Sequence, residues 1–504
     1  MVGGPAHRPA RRLRDRRGAR GRRRPVPHLR PAPSPAATAV PHPAPKETAV
    51  TDTETDETTP AAPEQDRQTQ QSDSELGRHL LTARGFHWIY GTSGDPYALT
   101  LRAESDDPVV LARRIREAET PLWQSAAGAW VTGRHAVAAE VLADPRLSLR
   151  HADLPGLQRH VFSDAWSNPL LCHIIPLDRA FLHASGADHA RWERSAAPVL
   201  GAGAADGHRK HAERVHQETA DRLGATFDLM ADYSRPAATE AAAALLGVPD
   251  AQRDRFAHTC AALGVALDAA LCPQPLAVTR RLTEAVEDVR ALVADLVAAR
   301  QSEPGDDLFS TVLRADASGS SGASAAEDAL AVGVLTAAVG VEFAAGLINN
   351  AVEALLAHPR QWALLGENPE LAAGAVEETL RHAPPVRLES RIAAEDLTLA
   401  GQDIPAGAQV VVHVGAAGRD PAVFLAPDHF DLTRPVGQGQ LALSGPHTSL
   451  FGAFARLQAE TAVRTLRERH PQLAPADGVR RRMRSPVLGG VLRYTLTTSP
   501  TAAA

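Results

Sequence analysis

The chain has 504 residues, 44% of them hydrophobic, enough to bury a large core. Eleven arginines and Lys46 against Asp15 and Glu47 give residues 1–49 a charge of +10, so the whole-chain value of −6 leaves −16 for residues 50–504. An acidic body argues against binding nucleic acid or anionic membranes, and three cysteines without CxxC spacing argue against a disulfide framework or a structural zinc.

Residues 1–75 are Arg/Pro-rich, then rich in Thr, Glu, Asp and Gln, with no hydrophobic periodicity. They are predicted to be a disordered leader. The change of character near Val50 is consistent with translation starting there. No apolar stretch follows the basic N-terminus, so no signal peptide is read, and a reducing cytoplasm is the expected setting.

From residue 76 onward one large domain is predicted, mainly α with a minor β-sheet. Trp130 and Val131 read as a strand. His135 to Ala143 read as a helix stopped by Asp144-Pro145. Leu282, Val286, Val289, Val293 and Leu296 place an apolar stripe on a helix from Val278 to Arg300. Residues Ala317 to Ala326 read as a small-residue linker. A long apolar helix from about Glu327 to Leu356 should cross the core, since its apolar run, Ala329 to Val341, is too short for a bilayer. Another helix runs from Pro369 to His382. Strands are predicted at Leu397–Leu399 and Gln409–Val414, with turns at Ala400-Gly401 and Pro405-Ala406-Gly407. A final helix covers about Ala453 to Arg469, followed by a C-terminal hairpin.

Glu378 and Arg381, three residues apart, share one helix face and can pair. Behind them come Pro384-Pro385-Val386, Ile404-Pro-Ala-Gly407 and Arg419-Asp-Pro-Ala-Val-Phe424 in that order. Upstream stand WVTGRHAVAAEVLADPRLS and GADHARWERSAAPVL. With these pieces the chain resembles the cytochrome P450 family over roughly residues 76–500. The resemblance implies a haem-thiolate monooxygenase fold, in which the Glu–Arg pair ties its helix to a meander loop.

Four positions where that family does its chemistry depart from its pattern. The stretch ALSGPHTSLFGAFARLQAE aligns with the haem loop and keeps Gly445 and His447, but Ser449 stands where the ligand cysteine would be. A gapped alignment instead matches Phe451-Gly452 to the family's Phe-Gly and deletes the loop. Neither alignment supplies a cysteine. A serine hydroxyl is far more basic than a thiol and cannot replace the electron-rich thiolate. On the long central helix the acid Glu342 remains, but Phe343 replaces the alcohol of the proton relay. The propionate anchor expects an arginine four residues after His189, and Glu193 occupies that place, with Arg194 a hundred degrees round the helix. In the meander His429 departs from the pattern, and Arg434 could compensate.

Loss at three of these sites beside a retained Glu378, Arg381 and fold-specifying turns implies a kept shape without redox chemistry. No haem, other cofactor or metal is expected, and the chain reads as a non-enzyme. The family includes haem-less auxiliary proteins that bind and activate deoxysugar glycosyltransferases in antibiotic biosynthesis. The stretch Thr82–Ala103 resembles their N-terminal segment. The resemblance therefore implies a glycosyltransferase partner, acting on a nucleotide-activated deoxysugar and a polyketide. Trp88, Tyr90 and Tyr97 are candidate interface anchors, though such aromatics equally suit internal packing. His87 and His189 are read as structural. Two alternatives stay open: a haem enzyme with an unusual ligand such as His447, and a small-molecule binder using the emptied pocket.

Overall fold

The structure is a computed structural model that describes residues 72–103, 107–149, 171, 175, 177–182, 184–315 and 325–498. All of these belong to one compact unit, residues 69–504. Most of the expected leader, Cys172 and most of the expected small-residue linker lie outside the described residues. The first helix, Asp73–Thr92, opens three residues inside the predicted leader. Ser72 accepts from the Glu75 amide while Glu75 reaches back to Ser72, a capping box that satisfies two end donors.

Of the described residues 61% are helical, with several small sheets, the predicted fold class. The His135–Ala143 and Leu276–Ser302 helices fall where patterning put them. The central helix Ala325–Ala357 is long and apolar enough to cross a membrane, but 94% of its apolar window is buried inside the molecule. It is not uniform: the ladder widens to a π turn over Thr336–Gly340, flanked by α segments Ala325–Leu335 and Val341–Ala357. Such a turn breaks the regular i to i−4 bonding and is common where a helix serves a site.

The largest sheet has five strands, in the order Trp123–Gln124, Trp130–Thr132, Gln409–His413, Leu388–Ala393 and Leu147–Ser148. Trp130–Thr132 runs parallel to Gln409–His413, with Val131 opposite Val411, and the other pairings are antiparallel. Strands Leu397–Leu399 and Gln402–Ile404 form a hairpin turned at Ala400 and Gly401, both with positive φ. The expected C-terminal hairpin is present in the consecutive antiparallel strands Arg480–Arg481 and Val491–Arg493, but the strand after it lies outside the hairpin. Val491–Arg493 pairs with Arg480–Arg481, whereas Thr495–Thr497 pairs with Thr226–Asp228 and Ala474–Pro475. The last helix also differs. It spans Pro446–Arg469 and begins seven residues before the predicted start, with Gly445 as its cap and proline at its first position.

Candidate functional site

Three helices bring the degenerate positions together. Gly186–Leu200 carries His189 and Glu193, Pro446–Arg469 carries His447 and Ser449, and the central helix carries Glu342 and Phe343. The early start of the last helix places Ser449 within regular helix, where a ligand-bearing loop was expected. Its hydroxyl donates to the Glu193 carboxylate and lies 3.2 Å from the Pro446 carbonyl oxygen. The residue at the ligand position and the residue at the anchor position thus bond to each other. Arg194, beside Glu193, is exposed.

His447 places Nε2 2.9 Å from the Leu182 carbonyl oxygen. The ring of His189 meets it edge-on, with centroids 5.1 Å apart, and meets Trp192 at 4.9 Å. His189 is 3% exposed, and neither ring nitrogen has a hydrogen-bond partner. Burial pushes its pKa down to about 4, so it is a neutral core imidazole. Trp192 Nε1 donates to Asp328 at 2.9 Å, and Arg191 grips the same carboxylate at 2.7 and 2.8 Å, fastening Gly186–Leu200 to the start of the central helix.

Glu342, the surviving acid of the relay position, is held by two arginines. Arg235 pairs with it at 3.0 Å and Arg482 lies 3.4 Å away. Phe343 beside it is fully buried. Gly340, closing the π turn, lets the Phe451 ring approach, since a Cβ there would meet the ring at 3.0 Å. An aromatic side chain from the last helix is therefore seated directly against the central helix. The cavity left beside His447 and Thr448 is about 110 Å³, lined largely by Leu171, Leu182, Leu271 and Val386. Pockets for drug-sized ligands have roughly 300–1,000 Å³.

These residues do not fit a thiolate-ligated haem. The donor at the ligand position is a hydroxyl already bonded to a carboxylate, and that carboxylate stands where a propionate would need a cation. Among the described residues the cysteines lie elsewhere. Cys260 is buried near Glu342, Cys272 is buried with Sγ 3.2 Å from the Leu101 carbonyl oxygen, and burial raises both thiols well above their usual range. Ligation by His447 competes with its contact to Leu182, and a cavity of this size is small for a ligand-binding role.

The meander side is fully knit. Arg381 grips Glu378 with two hydrogen bonds of 2.7 Å and donates to the carbonyls of Gly418, Pro427 and His429. Arg434 reaches Glu378 at 3.2 Å, and the Asp431 amide donates to the same carboxylate at 2.9 Å. His429 takes part through its carbonyl, so its departure from the family pattern costs the cluster nothing.

The sequence profile of the family described as Cytochrome P450 matches residues 365–448, which covers this cluster. The chain is 80% identical to Protein AknT of Streptomyces galilaeus over 87% of its length and 99% of that protein. It is 30% identical to Cytochrome P450 family protein EryCII of Saccharopolyspora erythraea, over 83% of the chain and 96% of that protein. The chain belongs to the cytochrome P450 family. Among solved structures, epothilone B-bound cytochrome P450epoK superposes with a TM-score of 0.69 at 28% identity, covering 78% of the chain and 97% of that structure. The family resemblance read from the sequence is borne out.

Of the candidate interface residues, Trp88 is 42% exposed, with the Arg102 guanidinium 4.7 Å above its ring, and Tyr90 is half-buried and stacked on Phe86. Tyr97 is a correction. It is 1% exposed, because Asp95 caps the Pro96–Arg102 helix and turns the residue into the core, so it cannot anchor a partner. The sequence reading missed Arg235 and Arg482 as partners of Glu342. They lie 107 and 140 residues away, and nothing local signals the pairing.

Proposed function

We infer that this protein is a non-catalytic auxiliary partner, without haem, that binds, stabilises and activates a glycosyltransferase attaching a nucleotide-activated deoxysugar to a polyketide. The observation that carries this reading is the Ser449–Glu193 bond within an otherwise intact P450 scaffold. The likeness to AknT over nearly all of that protein supports it. A partner that binds one state of an enzyme raises that state's population by its differential affinity, and no residue of the auxiliary protein need enter the transfer site.

The first helix offers the contact face. Leu81, Trp88 and Ile89 are 71%, 42% and 63% exposed. Their spacing gathers them on one side of the helix, and an exposed apolar stripe on an acidic body suits a protein partner. Co-expression with a deoxysugar glycosyltransferase of polyketide biosynthesis tests the reading. Soluble, active transferase is expected only with this protein present, and Ile89→Asp together with Trp88→Ala should abolish the effect while the protein itself still folds. Equal transfer without the protein overturns the reading.

A further inference from the structure

A second cavity of about 590 Å³ opens among the helices Pro96–Arg102 and Pro108–Arg116, the C-terminal end of Val341–Ala357, and residues 481–489. Its volume suits a small-molecule ligand. Ser449, Glu193 and Phe343 do not line it. Its charge is lopsided: six arginines face the carboxylates of Glu353 and Asp428.

Three of these arginines, Arg419, Arg481 and Arg482, are committed. Arg481 pairs with Glu353 at 2.7 Å. Arg482 donates to the Gly264 carbonyl at 2.7 Å and lies near Glu342. Arg419 donates to the His382 carbonyl at 2.8 Å, with Asp428 3.7 Å away. Arg387 differs. Its backbone is pinned on both sides, the amide to the Val487 carbonyl at 2.7 Å and the carbonyl to the Val414 amide at 2.8 Å. Its half-buried guanidinium has neither hydrogen bond nor ion pair among the described residues. Gly489, at φ +55°, makes room for it, because a Cβ there would sit on the guanidinium.

The electrostatics agree. Burial, then the neighbouring Arg481, lowers the Arg387 pKa to about 10, which leaves it charged at neutral pH. Burial drives His413 and His382 down to about 3, helped by Arg387 and Arg419 respectively. His413 and His382 are therefore neutral imidazoles, and guanidinium groups carry positive charge into the cavity. A guanidinium removed from bulk water without a counter-charge is costly, and its planar fork matches phosphate or carboxylate oxygens. Leu99, Leu111 and Pro384 supply an apolar wall beside it.

We propose that this cavity binds a small organic anion bearing a phosphate or diphosphate, with Arg387 as the principal anion ligand and the apolar wall holding the organic part. The inference is independent of any glycosyltransferase partner.

The test uses the full-length protein, with calorimetric titration and thermal melting in inorganic pyrophosphate, in uridine diphosphate, and in sodium chloride of equal ionic strength. Saturable binding of one pyrophosphate and a rise in Tm beyond that in chloride are expected, with uridine diphosphate binding more tightly. Arg387→Met should weaken both by at least tenfold while melting no lower than the parent without ligand, since it deletes an unpaired charge. Arg387→Lys keeps the charge without the fork and should bind with intermediate affinity. If Arg387→Met fails to fold, the Lys variant decides. Unchanged binding in the variants, or a response no greater than that to chloride, overturns the proposal. Equal affinity for pyrophosphate and uridine diphosphate overturns the role of the apolar wall.

Discussion

Two polar clusters of the same scaffold have met different fates. Around Glu378 every charge is answered: Arg381, Arg434 and the Asp431 amide converge on one carboxylate. Around Ser449 the polar groups have been reassigned. A hydroxyl bonds a carboxylate, Glu342 is taken by arginines from elsewhere, and His189 is left with no partner. The first cluster joins the Ala372–His382 helix to the meander, so losing it would loosen the architecture. The second occupies the positions that depart from the family's pattern, and its polar groups serve packing and local bonding. Removing a buried ion network costs folding stability whatever the chemistry nearby.

The largest effect should come from Arg381→Ala. It strands the buried Glu378 carboxylate and frees three loop carbonyls, and truncating one partner of such a pair costs about 3–5 kcal/mol. A urea or guanidinium midpoint measures it. A loss below about 1 kcal/mol would break the contrast between the clusters.

His189→Phe should move stability the other way. It removes two unpartnered buried nitrogens and keeps the ring, for a gain of about 1 kcal/mol at neutral pH. The native His189 pKa is near 4, below its ordinary value of about 6.5. Its contribution is therefore fully present above pH 6.5 and lost as pH falls toward 4. Phenylalanine takes up no proton, so the variant's stability should decline less on acidification, by up to about 1.4 kcal/mol per pH unit in that window. Parallel midpoint-against-pH curves for the two proteins would refute this.

Ser449→Cys should have the smallest effect, a loss of about 1 kcal/mol from the weakened bond to Glu193. Incubated with haemin and reductant, the variant should show no Soret band from stoichiometric haem. A band with thiolate character would mean that the site still fits the cofactor.

Local signals explain what the sequence disclosed. Asp144-Pro145 ends a helix at the residue where patterning ends it, and the Ala400-Gly401 turn needs the positive φ it adopts. The Glu378–Arg381 pairing follows from helix geometry alone. The start of the last helix was also readable from Gly445-Pro446, a good cap and first position, but the family's loop was expected there instead. Long-range events were not legible. Thr495–Thr497 pairs with Thr226–Asp228, more than 260 residues away, and no local pattern announces that partner. The burial of Tyr97 and the capture of Glu342 depend on which helices meet in space, which no window of sequence contains.

The bond between Ser449 and Glu193 also bears on history. Restoring cysteine alone would set a thiolate against a carboxylate, raising the thiol's pKa and repelling the cofactor's own anionic arms. Restoring arginine alone at 193 would leave no ligand for the iron. Each single reversal is unrewarded without the other, so the pair works as a ratchet: with both residues in place, neither change by itself brings the chain nearer to holding haem.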